Sequence, residues 1–452
     1  MKVLLVRPRH HTHLIQPPLA LGYLSSYLQR RGHQVRVVDG LLEELDNDAL
    51  AARCADADLV GVSVLSDYYP QTVDLCERLK RQGLPVVIGG PHGTFVPART
   101  LRETGADYVI VGEGEAALAE LVEALAEGGR GQGIPGVATP AQPDVPPREL
   151  LPDLDTLPFP DWDDCPPGRY PPAPHGGVAR RYPIAPLTST RGCPYACSFC
   201  SSPFLWQRRI RYRSPQNVVD EIEYMVRRHG VREVHFEDDN LTLRRAHVEG
   251  ICHRLLSRGV AVTWATPNGI RVDTLDRELV SLMRRSGCYS VAFGVESADS
   301  EILRRCGKKA SIEKVDEAIA LCHEAGLITQ GFFIFGLPGE TAETIQRTID
   351  FARKSKLDKA QFLLLDVMPG SALWNEHRAE VPDLASYQSY HDMTWCPEGL
   401  DPDLLRRAPG RAFRAFFASP RRVVRMLRMV RPRQLRYVLR RMSDFRVIPT
   451  RG

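Results

Sequence analysis

Long apolar runs are missing from this sequence of 452 residues. No stretch approaches the roughly 18 apolar residues that a membrane-spanning helix needs. The apolar run after Lys2 covers four residues, too few for the core of a secretory signal. The eleven cysteines are scattered apart from one group, so the framework of a small disulfide-rich secreted protein is missing as well. We therefore expect a cytoplasmic globular protein.

Strand-like and helical patterns alternate over residues 1–130, which predicts a doubly wound, Rossmann-like parallel sheet. Such a sheet binds ligands at the carboxyl ends of its strands, here at residues 63–66, 89–93 and 112–115. Residues 131–183 are rich in proline and glycine. This composition predicts a linker that wraps on the surface and marks a domain boundary.

A second series, over residues 184–380, contains about six strands, fewer than the eight of a closed barrel. It predicts a partial (β/α)6 barrel with its chemistry at the carboxyl ends of the strands. Beyond the cysteine group, those ends are rich in acids, Asn, Gly and Ser, and they lie at 237–240, 266–271, 294–297, 336–340 and 366–371. Residues 381–452 are expected to form a basic helical segment, with helices around 404–417 and 420–442.

The cysteine group RGCPYACSFC, residues 191–200, places Cys193, Cys197 and Cys200 within eight residues. A zinc site would need a second CxxC pair or two histidines at a defined distance, and none follows. Closely spaced thiolates also hold iron–sulfur clusters, usually with four cysteines. With three, one iron of a [4Fe–4S] cube keeps an open coordination site, which suits an enzyme better than an electron carrier.

RGCPYACSFC resembles the signature of radical S-adenosylmethionine (SAM) enzymes. The resemblance implies that the three cysteines hold the cluster, that SAM chelates the open iron, and that Phe199 contacts the adenine of SAM. It also implies that one electron splits SAM into a 5′-deoxyadenosyl radical, which abstracts hydrogen from an unactivated C–H bond. An external donor of the flavodoxin or ferredoxin type would supply that electron.

The segments FEDDN, FGVES and FGLPGE resemble recurring elements of these barrels, and Glu296 of FGVES is the foremost expected SAM contact. Acids suit the ribose hydroxyls and the methionine ammonium of SAM. The full set of cofactor contacts expected in the barrel is Phe199, Asp238, Asn268, Glu296 and position 337 (Leu337). The candidates for acid–base chemistry are Glu237, Asp238 and Asp239. Helix capping is the alternative role for Asp239 and Glu296.

GVSVLS, VVIGGPHGTF and DYVIVGEGE resemble the cobalamin-binding domain that precedes one subgroup of radical SAM barrels. The contacts that this resemblance implies for the corrin and its nucleotide tail are Ser63, Gly89, Gly90, His92 and Glu113. No Asp-x-His-x-x-Gly motif is found, so cobalamin would bind without a histidine below cobalt, and His92 is expected to shape the turn. The alternative is a scaffold that has lost the cofactor.

With cobalamin, the resemblance implies methylation of carbon or phosphorus in a small molecule, an antibiotic-type secondary metabolite. The alternatives are a 1,2-diol dehydratase of the aminoglycoside type without cobalamin, ring formation or rearrangement, and a non-catalytic iron–sulfur protein. Transfer-RNA methylthiolation should bring three further N-terminal cysteines and an RNA-binding end domain. Cys54 and Cys76 do not meet that requirement.

The C-terminal residues 401–452 carry fifteen arginines against three aspartates. Three roles stay open for this segment. Its helices could close the open side of the barrel, contact an anionic membrane surface, or bind an anionic partner or a substrate phosphate. Nucleic acid is not expected as a partner, because the segment has no ladder of aromatic residues for stacking.

Overall fold

The structure is a computed structural model, and it describes residues 1–12, 14–173, 179–381, 383, 393–435 and 437. These described residues form two six-stranded sheets and one two-stranded ribbon. Within the described residues, no helix is both long and apolar enough to cross a membrane.

The N-terminal sheet has the predicted doubly wound form. Its strands, in chain order, are β1 Lys2–Arg7, β2 Gln34–Asp39, β3 Leu59–Ser63, β4 Val86–Gly89, β5 Tyr108–Ile110 and β6 Val137–Ala138. The helices between them are α1 Leu19–Arg30, α2 Asn47–Arg53, α3 Tyr69–Arg81, α4 Pro91–Phe95, α5 Pro97–Thr104 and α6 Gly114–Ala126. The spatial order is β2-β1-β3-β4-β5-β6, with all pairs parallel except β5–β6. Strand order therefore reverses beside β1, which is where such sheets hold ligands.

Residues 131–183, predicted as a surface linker, are more deeply buried than their composition indicates. Val137 and Ala138 form β6, an edge strand of the N-terminal sheet. Trp162 is 1% exposed within the core of the second sheet, and its indole N–H donates to Glu221 at 3.3 Å. Tyr170 is buried and its hydroxyl donates to Asp39 at 2.8 Å. Part of this proline-rich segment therefore packs into both halves of the protein.

The second sheet is the predicted partial barrel. Its six strands are β7 Ile184–Leu187, β10 Glu233–Phe236, β11 Thr263–Ile270, β12 Cys288–Glu296, β13 Ile328–Phe335 and β14 Lys359–Leu364, and the ribbon is β8 Thr190–Arg191 with β9 Arg211–Tyr212. The order β14-β13-β12-β11-β10-β7 is parallel throughout, with β7 and β14 at its edges. The helices are α7 Ser202–Leu205, α8 Pro215–His229, α9 Arg245–Ser257, α10 Arg277–Arg285, α11 Ser300–Arg305, α12 Ile312–Glu324, α13 Ala342–Lys354 and α14 Ala372–His377.

Local sequence explains why these helices begin and end where they do, and α8 is an example. Ser214 caps its first turn by accepting a hydrogen bond from the backbone N–H of Asn217, and Pro215 takes the first helical position. The helix ends at Gly230, which has a φ of 64° and thus the left-handed conformation that glycine adopts without cost.

Two helices follow the barrel, α15 Pro402–Phe417 and α16 Pro420–Met429. The first buries Leu405 and Phe416 in the barrel core, where it packs against α13 and β14. The second was predicted to reach residue 442 but ends at Met429, because Pro432 disfavours a helical conformation of the residue before it. The rest of that prediction falls largely outside the described residues.

The carboxyl ends of the two sheets face each other. One apolar cluster contains Val62, Val64 and Ile88 from the N-terminal sheet together with Leu337 and Leu365 from the barrel. Phe95, at the end of α4, packs against Gly370 beyond β14. The two ligand-bearing edges are therefore held together in one body.

Candidate active site

The three cysteines lie in the loop that joins β8 to α7, beyond the carboxyl end of β7. All three are free and partly buried. The loop is fixed from two sides, because the backbone N–H of Ser198 donates to the carbonyl of Cys306 at 2.9 Å and the N–H of Leu373 donates to the carbonyl of Ser198 at 3.1 Å.

Two glycines let neighbouring backbone approach this loop. Gly192 has a φ of +102°, and a Cβ there would lie 2.1 Å from the carbonyl oxygen of Arg209. Gly307 has a φ of +70°, and a Cβ there would lie 2.7 Å from the carbonyl oxygen of Ala196. The loop is thus packed between the β8–β9 ribbon and the segment after α11.

The donor set fits an iron–sulfur cube. Burial raises the pKa of the thiols of Cys193 and Cys197, and raises that of Cys200 to about 12. Thiols so placed need positive charge nearby to become thiolates, and bound metal supplies it. In the described part of the chain, no three His, Cys, Asp or Glu side chains are grouped to hold a single ion. A cube has no such requirement, because each thiolate binds a different iron.

The acids at the end of β10 divide into different roles. Asp238 is buried and accepts hydrogen bonds from the N–H and hydroxyl of Ser189, at 3.0 and 2.9 Å, and from the hydroxyl of Thr190 at 2.6 Å. Burial raises its pKa to about 6. Asp238 therefore anchors the strand that leads into the cysteine loop, and the structure does not aim it at a ligand as either predicted role required.

The neighbouring predicted residues lie nearer the mouth of the barrel. Asp239 accepts a hydrogen bond from the Ser202 hydroxyl at 2.7 Å. The Asn268 side chain is exposed and donates to the carbonyl of Glu237 at 3.0 Å. Glu237 itself is partly buried. These three remain placed where a ligand above the strand ends could reach them.

Glu296 combines three local features that are typical of a functional site. It is buried, has a φ of +63°, and follows an irregularity in the pairing of β12 with β13. A side chain in this left-handed region is uncommon and costs free energy, so the fold must hold it there. Its carboxylate accepts from the Lys308 ammonium at 2.5 Å, and Gly294 leaves room for the pair. Sequence reasoning missed Lys308, which no motif singled out.

The FGLPGE segment contributes structure rather than a direct contact. Leu337 is fully buried in the apolar cluster shared by the two sheets, so its side chain is not available for the cofactor contact expected at position 337. Glu340 is buried and accepts from the backbone N–H of Gly336 at 2.6 Å and of Leu337 at 3.2 Å. Phe199 is partly buried and packs against the same shared cluster.

The glycine-rich ends of the N-terminal strands are partly open. A Cβ on Gly89 would meet nothing within 4 Å, whereas one on Gly90, at a φ of +108°, would lie 2.5 Å from the carbonyl oxygen of Val64. Ser63 is partly buried beside them. A flat group can therefore approach the backbone at Gly89, and these three residues fit the cobalamin edge that was expected.

His92 and Glu113, the other two residues expected at this edge, bond to neighbouring side chains of the protein. His92 is 1% exposed, stacks on Tyr69 at 3.9 Å and pairs with the Ser66 hydroxyl at 2.9 Å, and burial lowers its pKa to about 3. These contacts hold the imidazole in the turn, and its Nε2 is buried without a hydrogen-bond partner among the described residues. Glu113 accepts hydrogen bonds from Arg191 and Arg211, each at 2.8 Å. Its carboxylate is therefore paired with two arginines of the barrel half.

The described geometry can be compared with known proteins. Residues 187–352 match the family model of the Radical SAM superfamily, and residues 9–122 match that of the B12 binding domain. The chain is 34% identical over 388 residues to an uncharacterized methyltransferase of Pyrococcus horikoshii, covering 83% of this chain and 82% of that one. The chain belongs to the radical SAM superfamily. This radical SAM enzyme uses a [4Fe–4S] cluster and SAM, and it carries a B12-binding domain.

Two further relatives extend the comparison. The radical SAM enzyme is 30% identical to the anaerobic magnesium-protoporphyrin IX monomethyl ester cyclase of Rubrivivax gelatinosus, over 93% of this chain and 78% of that one. Its fold is similar to that of the radical SAM methyltransferase TsrM of Kitasatospora setae, with a TM-score of 0.70, 23% identity, and coverage of 92% and 81%. The likeness to TsrM shows that the two proteins share a fold.

Proposed function

We propose that this enzyme methylates an unactivated position of a small organic substrate with the help of cobalamin. The observation that carries the proposal is the meeting of the two ligand-bearing edges at the cysteine loop, where Arg191 of the barrel pairs with Glu113 and Glu115 of the N-terminal domain. When bound, the cluster with SAM supplies a hydrogen-abstracting radical and the corrin supplies the methyl group.

The cysteine loop provides the metal-binding residues in this proposal. Cys193, Cys197 and Cys200 hold the cluster, and Phe199 lies beside the place for the adenine of SAM. The opposed edge at Ser63, Gly89 and Gly90 holds the corrin. In this proposal the substrate binds between the two edges, so the two sheets exclude bulk water from it on two sides.

Glu296 binds the methionine ammonium of SAM in this proposal. Its present partner is the Lys308 ammonium, which is the same chemical group. SAM also carries a carboxylate, so Lys308 has a new anionic partner available when it yields Glu296 to the ligand. Glu237 and Asp239 are the acid–base candidates that remain at the mouth, while Asp238 holds the strand beneath them.

We also propose the division of the chain into residues 1–130, 131–183, 184–380 and 381–452. The first is the B12-binding unit, the second the connecting segment, the third the catalytic barrel and the last the basic helical segment. An external one-electron carrier of the flavodoxin or ferredoxin type reduces the enzyme.

Ring closure is the second candidate function. It rests on the identity with the Rubrivivax cyclase, which spans nearly the whole of this chain. The same two cofactor sites would then serve a reaction in which the substrate radical closes a bond instead of receiving a methyl group.

The first experiment is anaerobic reconstitution with iron, sulfide and hydroxocobalamin, followed by gel filtration and an ultraviolet–visible spectrum. Corrin should elute with the protein in roughly equal amount. Reduced enzyme given SAM should then form both methylcobalamin with S-adenosylhomocysteine and 5′-deoxyadenosine with methionine. Formation of deoxyadenosine without any S-adenosylhomocysteine would contradict methylation and favour ring closure.

A further inference from the structure

A cationic and apolar surface lies immediately after the cysteine loop. We call it the Phe204 surface, and it consists of Phe204, Gln207, Arg208 and Arg209. Phe204 is 43% exposed, and the other three residues are exposed as well. Neither Arg208 nor Arg209 pairs with a carboxylate in the part of the chain that the structure describes. Two unneutralised guanidinium groups thus stand beside an exposed aromatic ring, four to nine residues beyond Cys200.

The surface is held rigidly in this position. Gln207 and Arg208 have φ values of 53° and 55°, so two consecutive residues other than glycine adopt the left-handed conformation. That conformation is unfavourable for residues with a side chain, so the surrounding structure must hold it. The turn is fixed by the N–H of Arg208, which donates to the carbonyl of Pro203 at 2.6 Å, and by that of Arg209, which donates to the carbonyl of Trp206 at 2.9 Å.

The Phe204 surface is also in backbone contact with the cysteine loop. The carbonyl oxygen of Arg209 fills the space that a side chain on Gly192 would occupy, and Gly192 precedes Cys193. The ring centre of Trp206 lies 6.0 Å from the guanidinium group of Arg191 and 5.4 Å from that of Arg211. A molecule bound on this surface would therefore lie close to the three thiols.

We propose that the Phe204 surface is the docking site of the electron donor, a small acidic one-electron carrier protein with a reduced flavin or iron–sulfur centre. The proposal rests on the proposed function, which needs one electron for each SAM cleaved. The carrier loses that electron and is oxidised, and the [4Fe–4S] centre held by the cysteines gains it. Because electron transfer falls steeply with distance, docking beside the loop is the productive geometry.

The composition of the surface suits such a partner. Arginine and aromatic residues are enriched at protein interfaces, and electron-transfer complexes use small ones. Exposed arginines attract an acidic partner and speed its encounter at low salt. α16 also exposes apolar and cationic side chains, namely Val424, Leu427, Arg421 and Arg428. This helix packs beside the segment that leads into β14, at the amino end of the sheet. It is therefore too remote for the donor and serves as a control.

The test measures the binding of a flavodoxin of net negative charge to the reconstituted enzyme. The variants are Arg208→Glu with Arg209→Glu, and Phe204→Ser. The matched control is Arg421→Glu with Arg428→Glu, which changes the net charge equally at the other end of the barrel. The dissociation constant is measured at several salt concentrations, and SAM cleavage is driven in parallel by reduced flavodoxin or by dithionite.

We expect the double variant at the Phe204 surface to bind flavodoxin about tenfold more weakly or worse at low salt, with a shallower salt dependence. Phe204→Ser should weaken binding about fivefold. SAM cleavage with flavodoxin should fall in proportion, while cleavage with dithionite stays as in the wild type, which also reports correct folding. The control should bind as the wild type does.

Unchanged flavodoxin binding in both surface variants would overturn the proposal, and so would an equal loss in the α16 control. If dithionite drives no SAM cleavage even in the wild type, the proposed function fails. The binding measurement still decides the docking site in that case, because it does not depend on turnover.

Discussion

The guanidinium of Arg191 lies 2.8 Å from the carboxylate of Glu113, although the two residues belong to different halves of the chain and are 78 positions apart. Arg191 stands two residues before Cys193, and Glu113 follows β5 of the B12-binding domain. Glu115 and Arg211 complete a nearly buried group of four charges. Burial alone would raise the pKa of Glu113, but the hydrogen bonds and charges of Arg211 and Arg191 outweigh it and lower the pKa.

Glu113→Gln should therefore destabilise the protein strongly. The substitution leaves Arg191 and Arg211 with less negative charge in a buried place, which costs about 3–5 kcal/mol when one partner of a buried pair is removed. The loss is measured as a shift in the midpoint of urea denaturation under anaerobic conditions. Glu120→Gln is the matched control, because its pair with Arg148 is more exposed and should cost less than about 1 kcal/mol. Equal shifts in the two variants would contradict a special role of the group.

Gly370→Ala should disturb the packing of the two halves. A Cβ at this position would lie 2.3 Å from the ring of Phe95, and the φ of Gly370 is +86°. We expect a loss of about 1–3 kcal/mol from overpacking. Adding Phe95→Ala should recover part of that loss, so that the double variant is less destabilised than the sum of the singles. If the double variant is destabilised by the sum of the two single variants, Gly370 and Phe95 are not in steric contact.

Stability should fall as the pH rises through the range in which Glu340 titrates. Burial raises the pKa of Glu340 from 4.5 to about 7. The folded protein then binds more protons than the unfolded chain between these values, so its stability decreases across that window as pH increases, on the order of 2–3 kcal/mol in all. Glu340→Gln keeps an acceptor for the N–H groups of Gly336 and Leu337 and should remove this decrease. Melting temperatures from pH 5 to 8 check it, with Glu343→Gln as an exposed control on α13 that should retain the decrease.

Glu296→Gln should weaken the binding of SAM. A hydrogen bond to a charged group contributes about 1.5–3 kcal/mol, so the dissociation constant should rise roughly tenfold or more. Equilibrium dialysis of the reconstituted enzyme against labelled SAM measures it. Glu301→Gln on α11 removes an exposed acid that pairs with Arg304 and Arg305, and it should leave the affinity unchanged. An unaltered affinity in the Glu296 variant would assign Lys308 as the permanent partner of that carboxylate.

The architecture could be predicted from the sequence because both halves repeat the same alternation of strand and helix patterns. The alternation over residues 1–130 and the six strands expected over residues 184–380 predict both sheets, since most strands are apolar runs that an amphipathic helix follows. The sixth strand of the N-terminal sheet, β6, was missed because Val137 and Ala138 form too short a run within a proline-rich segment. The burial of Trp162 could not be predicted for a similar reason, because a single aromatic residue among prolines shows no hydrophobic periodicity.

The candidate site was predicted less completely, because its roles depend on contacts between distant parts of the chain. Glu113 and Asp238 stand at strand ends, which is all that the sequence reveals. Whether such an acid faces a ligand or a neighbouring strand is decided by Arg191 in one case and by Ser189 in the other. The role of Lys308 could not be predicted for the same reason, since only the fold brings its ammonium group to the carboxylate of Glu296.

The shared support of the cysteine loop bears on how such a protein can evolve. Its backbone is fixed by Cys306 and Leu373, and Phe199 packs on a cluster to which both sheets contribute. A recombination event that replaced residues 1–130 with the homologous half of another enzyme would present Phe95 and Glu113 to unmatched neighbours. We therefore expect the two halves to be inherited as a pair, and new substrates to be acquired by changes in the loops around the strand ends and not by exchange of a domain.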